Sequence, residues 1–371
     1  MSHERLNIGV IGAGSFAAFA SKAFLKIPGV FICAVSDINE QSGAHLAEQV
    51  SAIFYPDYKD LLQDPKIDLV YIATPPFLHF EQSKMALAAG KHVICEKPAA
   101  LKTTEAKELQ QLARDKGLLY VVNLMQRYNP LYKAVSTIIN ERMLGNFLHG
   151  YFENYASDEY LDPEHWFWDE SKSGGIFIEH GVHFFDMFSG WLGKGKVIQA
   201  IQLRRPDCQF TLVDRVQATV MYQQGIVNFY HGFDQPKILD RQEMRLQFEK
   251  GDITMYEWVP VRMRVHGLML KDQIMGLQKQ LAPHQLPIEF SDDGKKKSKG
   301  RFHDIDYDEL ISAEQKTHPG KEFRYQQMIT EMLMDQWLWI RNRSHERIID
   351  DHNALESLKM AEYSKNIAVH L

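Results

Sequence analysis

The chain has 371 residues, of which 45% are hydrophobic and 24% charged, and its formal net charge is −6. This length and composition are typical of a globular protein with two domains, each able to bury a core. Acidic and basic residues are interspersed, which argues against nucleic acid as a partner, because phosphate-binding surfaces carry a basic excess. The one basic run, Lys295–Lys297 with Lys299, lies in a polar stretch and is interpreted as a solvated loop.

The cysteines and the N-terminal residues indicate a soluble protein of the cytoplasm. Cys33, Cys95 and Cys208 are widely spaced and show no CxxC pairing, which fits a reducing compartment and offers no metal site. A strand-like run, Leu6–Ile11, begins too early to leave room for a signal peptide. No apolar run approaches the roughly 20 residues that a membrane helix needs. We therefore expect no membrane, metal or nucleic-acid partner.

Strands and helices alternate over the first 124 residues. The predicted strands are Leu6–Ile11, Val30–Val35, Leu69–Ala73, His92–Cys95 and Leu119–Asn123. The predicted helices are Phe16–Lys26, Asn39–Gln49, Leu78–Ala89 and Thr103–Lys116. Such alternation indicates a parallel sheet that is covered by helices on both faces. We therefore predict a doubly wound α/β domain over residues 1–124.

The remaining residues, 125–371, contain strands that are joined mostly by short turns, which is typical of an antiparallel sheet. The predicted strands are Phe147–Tyr155, Val197–Leu203, Val213–Tyr222, Ile226–Phe233, Met244–Phe248 and Asp252–Tyr256. Helices are predicted after Pro130, from near Gly175, and over Glu322–Arg341 and Asn353–His370. The stretch Pro260–Leu310 is polar and is interpreted as a long surface excursion.

One strand of the second sheet predicts self-association. Apolar residues fall on both of its alternations, at Val213, Val216, Ala218, Val220 and Tyr222. A sheet without helices on its second face must cover such a surface, and a second copy of the chain can do so. We therefore expect a homodimer or a homotetramer.

A glycine-rich turn, residues 12–17, follows the first strand and opens the first helix. Gly12 allows a tight turn, and Gly14 lets the backbone approach a pyrophosphate. The helix N-terminus at Ser15 and Phe16 supplies amide donors and the positive end of the helix dipole. The turn therefore predicts a dinucleotide-binding site.

The acid that follows the second strand bears on the choice of cofactor. Asp37 lies at the usual distance from the glycines to bind a ribose, about 20 residues on. Its carboxylate can accept hydrogen bonds from both ribose hydroxyls and would repel a 2′-phosphate. Ile38 stands where an arginine could have neutralised that phosphate. These features favour NAD over NADP, although Asp37 could instead cap the next helix.

Further motifs resemble those of the Gfo/Idh/MocA oxidoreductases in order and spacing. They are Ala73-Thr74-Pro75-Pro76, His79, Glu96-Lys97-Pro98, Gln126–Pro130 and Gly174–Asp186, the last similar to the family's GG-xxx-D-xG-xH-xxD signature. The resemblance implies a Rossmann domain followed by an α/β domain with a large, open, mainly antiparallel sheet. It also implies an active site between the domains and a substrate of the sugar, cyclitol or polyol class.

The family's EKP lysine is Lys97 in this chain, just after the strand His92–Cys95, where ligands of open parallel sheets bind. A lysine there can bind the substrate oxygen and stabilise negative charge, or relay a proton. Glu96 is expected to orient Lys97 or the nicotinamide end of the cofactor. The resemblance implies a cis peptide before Pro98.

Other cofactor and substrate contacts are implied by the resemblance alone. Thr74, Pro75, Pro76 and His79 are expected to line the nicotinamide side of the cofactor site, and Glu96 and Lys97 are expected to bind the cofactor as well. Arg127 and Asn129 are expected to contact substrate or cofactor.

Glu179, His183 and Asp186 fall at i, i+4 and i+7, which would place them on one face of a helix. His183 matches the family's catalytic histidine, and an imidazole can remove a hydroxyl proton near neutral pH. Many family members carry aspartate where this chain has Glu179. The longer side chain could reach a different substrate, pair with His183, or be merely tolerated. Asp186 is expected to orient its neighbours.

The predicted reaction is hydride transfer between NAD(H) and a CH–OH or C=O carbon of a sugar, cyclitol or related polyol. Lys97, His183 and Glu179 are the expected catalytic residues, and these three with Arg127 are expected to bind substrate. Three alternatives stay open: a metal held by His183 and Glu179, a glycosidase-type enzyme that oxidises its substrate transiently, and a non-catalytic NAD sensor. In the second, Tyr155 or Tyr160 could supply a base.

Overall fold

The computed structural model describes residues 5–158, 161–205, 212–281, 288–291, 297–300, 304–316 and 320–371. A six-stranded parallel sheet occupies the first part of the chain. Its strands are β1 (Leu6–Ile11), β2 (Val30–Ser36), β3 (Ile53–Tyr55), β4 (Leu69–Ile72), β5 (His92–Cys95) and β6 (Tyr120–Val122). The strand order is β3-β2-β1-β4-β5-β6, which is that of a Rossmann fold. Ligands of such sheets bind at the carboxyl ends of the strands, next to β1 and β4, between which the strand order reverses.

Helices connect these parallel strands. They are α1 (Ser15–Phe24), α2 (Glu40–Val50), α3 (Tyr58–Gln63), α4 (Pro76–Ala88) and α5 (Thr103–Lys116). Local sequence accounts for their ends: Asn39 caps α2 by accepting from the Ser42 amide, and Gly117 ends α5 at a φ of +63°. The predicted doubly wound α/β fold is confirmed. The prediction missed β3 and α3, which are too short to show a hydrophobic period.

A second sheet has ten strands within the described residues and is mainly antiparallel, as predicted. Its strands are β7 (Phe147–Tyr155), β8 (Lys196–Arg204), β9 (Val213–Tyr222), β10 (Gly225–Gly232), β11 (Arg241–Phe248), β12 (Gly251–Tyr256), β13 (Arg262–Met269), β14 (Ile288–Ser291), β17 (Glu309–Lys316) and β18 (Val369–His370). The order is β14-β17-β13-β12-β11-β7-β10-β9-β8-β18. Only the pairs β7–β10 and β8–β18 are parallel among these described strands. A separate hairpin joins β15 (Lys297–Lys299) to β16 (Asp304–Asp306).

Six further helices complete the described elements. They are α6 (Pro130–Asn140), α7 (Glu170–Ser173), α8 (Val182–Leu192), α9 (Lys271–Leu281), α10 (Lys321–Arg341) and α11 (Asp351–Ile367). A π-helical turn, Phe177–Gly181, leads directly into α8, and short 3₁₀ turns cover Met125–Tyr128 and Lys237–Leu239. Among the described residues, none of the helices combines the length and the apolar character that crossing a membrane requires.

The chain forms two packing units. The first contains Met1–Tyr128, Asp162–Asp186 and Tyr325–Asn366, and therefore the parallel sheet, the π-helical turn and most of α10 and α11. The second contains Asn129–Leu161, Met187–Arg324 and Ile367–Leu371, and therefore the antiparallel sheet. These packing units do not test where an independently folding domain would end, so the division into 1–124 and 125–371 stays a prediction.

The prediction that Pro260–Leu310 forms an irregular surface excursion is wrong. Strand β13 lies inside the second sheet between β12 and β17, and α9 follows it. Met263 and Val265 are buried while Arg264 is half-buried on the opposite face, so the strand alternates as a half-buried strand should. Charged residues on the outer face made the segment look polar.

The basic run and the cysteines lie partly outside the described residues. Lys295, Lys296 and Cys208 are among the residues that are not described, whereas Lys297 and Lys299 are exposed on strand β15. For these two lysines the interpretation as a loop is wrong, although both are solvated. Cys95 is buried and Cys33 is half-buried, and burial raises the pKa of Cys33 to about 11.

The apolar residues of β9 lie mainly, but not entirely, on one face of the strand. The four apolar residues Val216, Ala218, Val220 and Tyr222 share one buried face of the strand, and Val213 and the exposed Met221 fall on the other alternation. Around them the outer face carries Arg215, Gln217 and Thr219, which are half-buried polar residues. Homo-oligomer formation stays a prediction.

Candidate functional site

The glycine-rich turn between β1 and α1 is shaped by two glycines with different roles. Gly12 has a φ of +95°, and a Cβ there would lie 2.8 Å from the carbonyl carbon and oxygen of Ala73. Gly14 is exposed, and no described heavy atom lies within 4 Å of the position a Cβ would take. No described side chain caps the N-terminus of α1, which Gly14 precedes. The open space and the amides at this helix end fit the pyrophosphate of a dinucleotide.

Asp37 follows β2 and is held against the glycine-rich turn. Its Oδ2 accepts from the Ala13 amide at 2.6 Å and its Oδ1 accepts from the Asn39 amide at 2.7 Å. Asn39, and not Asp37, caps α2. Since each carboxylate oxygen has two acceptor positions, Asp37 keeps capacity for the two hydroxyls of a ribose. Ile38 beside it is 96% exposed, so no basic side chain follows Asp37 at that position.

At the carboxyl end of β5, Glu96 is held by its neighbours on the sheet. Its Oε1 accepts from the Tyr71 hydroxyl at 2.5 Å and from the Asn123 amide nitrogen at 2.8 Å. Burial raises the pKa of Glu96, while these two donors lower it. The peptide between Lys97 and Pro98 is cis, as the resemblance implied.

The structure brings Lys97 and Glu179 together, 82 residues apart in the chain. The Lys97 ammonium donates to the Glu179 carboxylate, and at 2.9 Å to the Glu179 backbone oxygen. The Lys97 side chain is 20% exposed and that of Glu179 10%. Glu179, which stands where many family members carry aspartate, is therefore the counter-ion of Lys97, the expected catalytic lysine.

Glu179 lies in the π-helical turn Phe177–Gly181, whereas His183 lies in the first turn of α8. The assumption of regular α-helical spacing between them missed this turn, which holds one extra residue. Such turns occur frequently at functional sites. Gly174 precedes the turn at a φ of +82°, and a Cβ there would lie 2.7 Å from the Ile178 side chain.

His183 is 5% exposed. Burial, together with the positive charge of Lys97, lowers the pKa of His183 well below its usual value. The imidazole is therefore neutral at pH 7 and able to accept a proton. The structure thus gathers Lys97, Glu179 and His183 in the first packing unit.

Arg127 and Asp186 form a buried ion pair in the same unit. The Arg127 Nε donates to Asp186 Oδ2 at 2.9 Å, and Nη2 donates to Oδ1 at 2.7 Å. Burial raises the pKa of Asp186, while Arg127 and the amide of Asn353 lower it. Asn129, expected to contact substrate or cofactor, is instead fully buried, caps α6 and donates to the Pro260 carbonyl at 2.9 Å.

The residues around the start of α4 bind one another. The Thr74 hydroxyl donates to Gln82 at 2.6 Å, and Pro75 is the last residue before the helix. His79 is fully buried, with its ring nitrogens 2.7 Å from the Thr74 and Pro98 carbonyl oxygens. His79 therefore links the loop after β4 to the loop that carries Lys97.

Sequence reasoning missed the contribution of α10 to this region. The Tyr325 ring lies 5.7 Å from that of Phe16 and 5.1 Å from that of Phe19, both on α1. Burial raises the pKa of Tyr325, and the negative charge of Glu96 raises it further. No local pattern signals a contact across 300 residues of chain.

A tyrosine base and a metal ion held by His183 and Glu179 were among the alternatives that the sequence left open. Tyr155, in the second packing unit, lies beside Tyr230, and burial raises its pKa, which disfavours a role as base near neutral pH. Tyr160 lies outside the described residues. Within the residues that are described, no cluster of three or more His, Cys, Asp or Glu side chains could hold a metal ion.

The strand order, the open glycine turn and the acid after β2 define a dinucleotide-binding Rossmann protein. Residues 6–124 match the Gfo/Idh/MocA model of an oxidoreductase family with an NAD-binding Rossmann fold. Residues 132–254 match the Gfo/Idh/MocA C-terminal domain. The chain belongs to the Gfo/Idh/MocA family of oxidoreductases, which confirms both the resemblance and the prediction of an oxidoreductase.

Several proteins of this kind are similar to the chain. The uncharacterized oxidoreductase YrbE of Bacillus subtilis (strain 168) is 26% identical over 279 residues, 74% of this chain and 72% of that protein. Levoglucosan dehydrogenase of Pseudarthrobacter phenanthrenivorans is 29% identical over 211 residues, 53% of this chain and 54% of that protein.

Solved structures share the fold over almost the whole chain. A levoglucosan dehydrogenase in complex with NADH and levoglucosan has a TM-score of 0.78 and 19% identity, covering 98% of this chain and 97% of that one. The 3-ketoreductase KijD10 of Actinomadura kijaniata, in complex with NADP and TDP-benzene, has a TM-score of 0.76 and 18% identity, covering 99% of each chain. The fold is therefore compatible with either nicotinamide dinucleotide.

Proposed function

We propose that the protein transfers a hydride between NAD(H) and a CH–OH or C=O carbon of a sugar, cyclitol or related polyol. The main support is the contact between Lys97 and Glu179 together with the neutral, buried His183. An oxygen-binding cation and a proton acceptor are the two groups that alcohol oxidation requires from the protein. The substrate class rests on the similarity to levoglucosan dehydrogenase.

The cofactor would be held by the glycine-rich turn and by Asp37. The amides at Gly14 and Ser15 face the pyrophosphate in this proposal, and the carboxylate of Asp37 binds the adenosine ribose. Asp37 would repel a 2′-phosphate, so we propose NAD in preference to NADP. When bound, the nicotinamide supplies the hydride acceptor or donor. Thr74, Pro75 and Glu96 belong to the same proposed site.

Lys97 has the capacity to hold a substrate oxygen. Its ammonium has three donors, and two of them bind Glu179 through the side chain and the backbone. The remaining donor can bind the substrate oxygen and stabilise negative charge on it. Glu179 acts in this proposal by fixing the direction of Lys97 rather than by touching the reacting carbon.

His183 acts as the general base in the direction of oxidation. Because burial keeps the imidazole neutral, it can take the hydroxyl proton as the C–H bond breaks. Arg127 is committed to Asp186 by two charge-assisted hydrogen bonds, so we propose that it supports α8 and borders the substrate site. We also propose a cytoplasmic homodimer or homotetramer, which light scattering at micromolar concentration would test.

Incubation with NAD⁺ and a panel of cyclitols and aldoses, followed at 340 nm, tests the reaction. Net NADH formation with at least one polyol is the expected result. Release of a sugar with no net absorbance change would indicate transient oxidation instead. NAD binding without turnover on any member of the panel would favour a sensor.

A further inference from the structure

We infer that His79 is an imidazolium cation in the folded protein and that this cation joins the loop after β4 to the loop that carries Lys97. The two ring nitrogens of His79 each lie 2.7 Å from a backbone carbonyl oxygen, that of Thr74 on one side and that of Pro98 on the other. Both distances are ordinary for N–H···O hydrogen bonds.

Only the cation can make both contacts. A carbonyl oxygen has no hydrogen to donate, and a neutral imidazole has one N–H and one lone pair. In either neutral tautomer the lone pair would therefore face a carbonyl oxygen at 2.7 Å, and the two would repel each other. His79 is 0% exposed, so water does not reach the ring to relieve that repulsion.

Among the described residues, one cation and one anion act on the charge of His79 in opposite directions. Lys97 disfavours the imidazolium and Glu179 favours it, and these two are themselves an ion pair. Burial lowers the pKa of His79, whereas the two backbone acceptors raise it. The two neighbouring charges act in opposite directions, and both rank after burial and the two backbone contacts, so burial competes mainly with two hydrogen bonds that exist in full only for the cation. The contacts outweigh burial, because the neutral ring would lose one hydrogen bond and gain a repulsion in its place.

The consequence is a positioning role. Thr74 lies in the loop that follows the carboxyl end of β4, and Pro98 directly follows Lys97. A cation that binds both carbonyls fixes the separation of these loops. Replacing it by a neutral side chain removes one of the two links. The charge state can be measured without cofactor or substrate, so it stands or falls independently of the proposed function.

The pH dependence of unfolding distinguishes the two charge states. A folded-state pKa above the unfolded value of about 6.5 gives stability that is complete at low pH and is lost as pH rises. We therefore compare the unfolding constants of the wild type and His79→Gln by urea titration between about pH 5.5 and 8.5. Above about pH 6.5, the unfolding constant of the wild type divided by that of the variant is expected to rise tenfold per pH unit. The rise should stop once the pH passes the pKa of His79 in the folded protein.

His92→Gln is the matched control, because His92 is a half-buried histidine of the same packing unit. Burial lowers its pKa to about 4. The ratio for this variant should fall as pH rises to about 6.5 and then stay constant. If the His79→Gln ratio behaves as the His92→Gln ratio does, His79 is neutral and the inference is overturned.

Nitrogen-15 NMR of the wild type removes any dependence on how the variant folds. At about pH 8.5, exposed histidines are neutral. A ring with both nitrogens protonated should persist there and should survive His345→Asn, which removes the histidine paired with Asp335. Absence of any such ring at that pH overturns the inference.

Discussion

The carboxylate of Asp37 should determine which dinucleotide the protein prefers, and Asp37→Asn tests this directly. The variant removes one negative charge but keeps an oxygen that can accept one of the two backbone hydrogen bonds, from Ala13 or from Asn39. At roughly 4 Å, two unit charges interact by about 1 kcal/mol in water and about 4 kcal/mol at an effective dielectric constant of about 20. Asp37 is half-buried, so its carboxylate is expected to weaken the binding of a 2′-phosphate by about 1–3 kcal/mol.

That free energy corresponds to about 5–150-fold tighter binding of NADH than of NADPH by the wild type. Fluorescence titration of both cofactors gives the ratio for the wild type and for Asp37→Asn. The variant should lose most of the preference, partly by binding NADH more weakly through the lost ribose acceptor. Raising the ionic strength should reduce the wild-type preference, because salt screens charges at partly exposed sites.

Asp57→Asn is the control for a general effect of charge. Asp57 caps α3 by accepting from the Lys59 amide at 2.9 Å, and it plays no part in the proposed cofactor site. The control should bind both cofactors as the wild type does. Equal affinities of the wild type for NADH and NADPH would refute the role given to Asp37, and so would an equal loss of preference in both variants.

Three other outcomes follow from the site. Arg127→Met should lower the free energy of unfolding by about 3–5 kcal/mol in urea titration, because it leaves the buried Asp186 carboxylate unpaired. Gly14→Ala should keep full stability but weaken NADH binding, because its Cβ enters open space, whereas Gly12→Ala should lower stability by more than about 1 kcal/mol. Oxidation should show no loss of kcat/KM from pH 8 down to about pH 6.5, because burial keeps His183 neutral there.

Each of these outcomes has a result that would contradict it. Arg114→Met is the control for Arg127→Met. The Arg114 side chain is 58% exposed, so its ion pair with Asp351 should contribute less than about 1 kcal/mol to the free energy of unfolding. A stable Arg127→Met with a raised substrate KM would instead place Arg127 in the substrate site. Unchanged NADH affinity in Gly14→Ala would argue against a pyrophosphate at the turn. An acid limb centred at or above about pH 6.5 would contradict a neutral, buried base.

The parallel sheet could be predicted from the sequence because its signals are local. Most strands of this sheet appear in the sequence as short runs of apolar residues. Gly12 directly follows the first of these runs, and Asp37 closely follows the second. Strand β3 and helix α3 carry too few residues for a period to appear. Strand β13 was missed for another reason: its outward residues are charged, and an alternation of arginine with buried apolar residues looks polar when only the average is considered.

The candidate site was predictable in its residues but not in their contacts. Lys97, Glu179 and His183 were found from motifs, yet the pairing of Glu179 with Lys97 depends on the π-helical turn. A single extra residue in a helical turn leaves no mark in a hydrophobic pattern. Tyr325 comes from a helix more than 300 residues after the glycine-rich turn, so only the folded chain reveals its place.

The most direct test of the proposed chemistry is the turnover of His183→Ala and Lys97→Ala with NAD⁺ and an accepted polyol. Both variants should bind NADH as the wild type does, because neither side chain belongs to the glycine-rich turn or to Asp37. Each should lose about 10²–10⁴-fold in the rate of NADH formation, and the double variant should be little worse than the slower single one. Near-normal turnover of His183→Ala would contradict the account and leave the proton to another group.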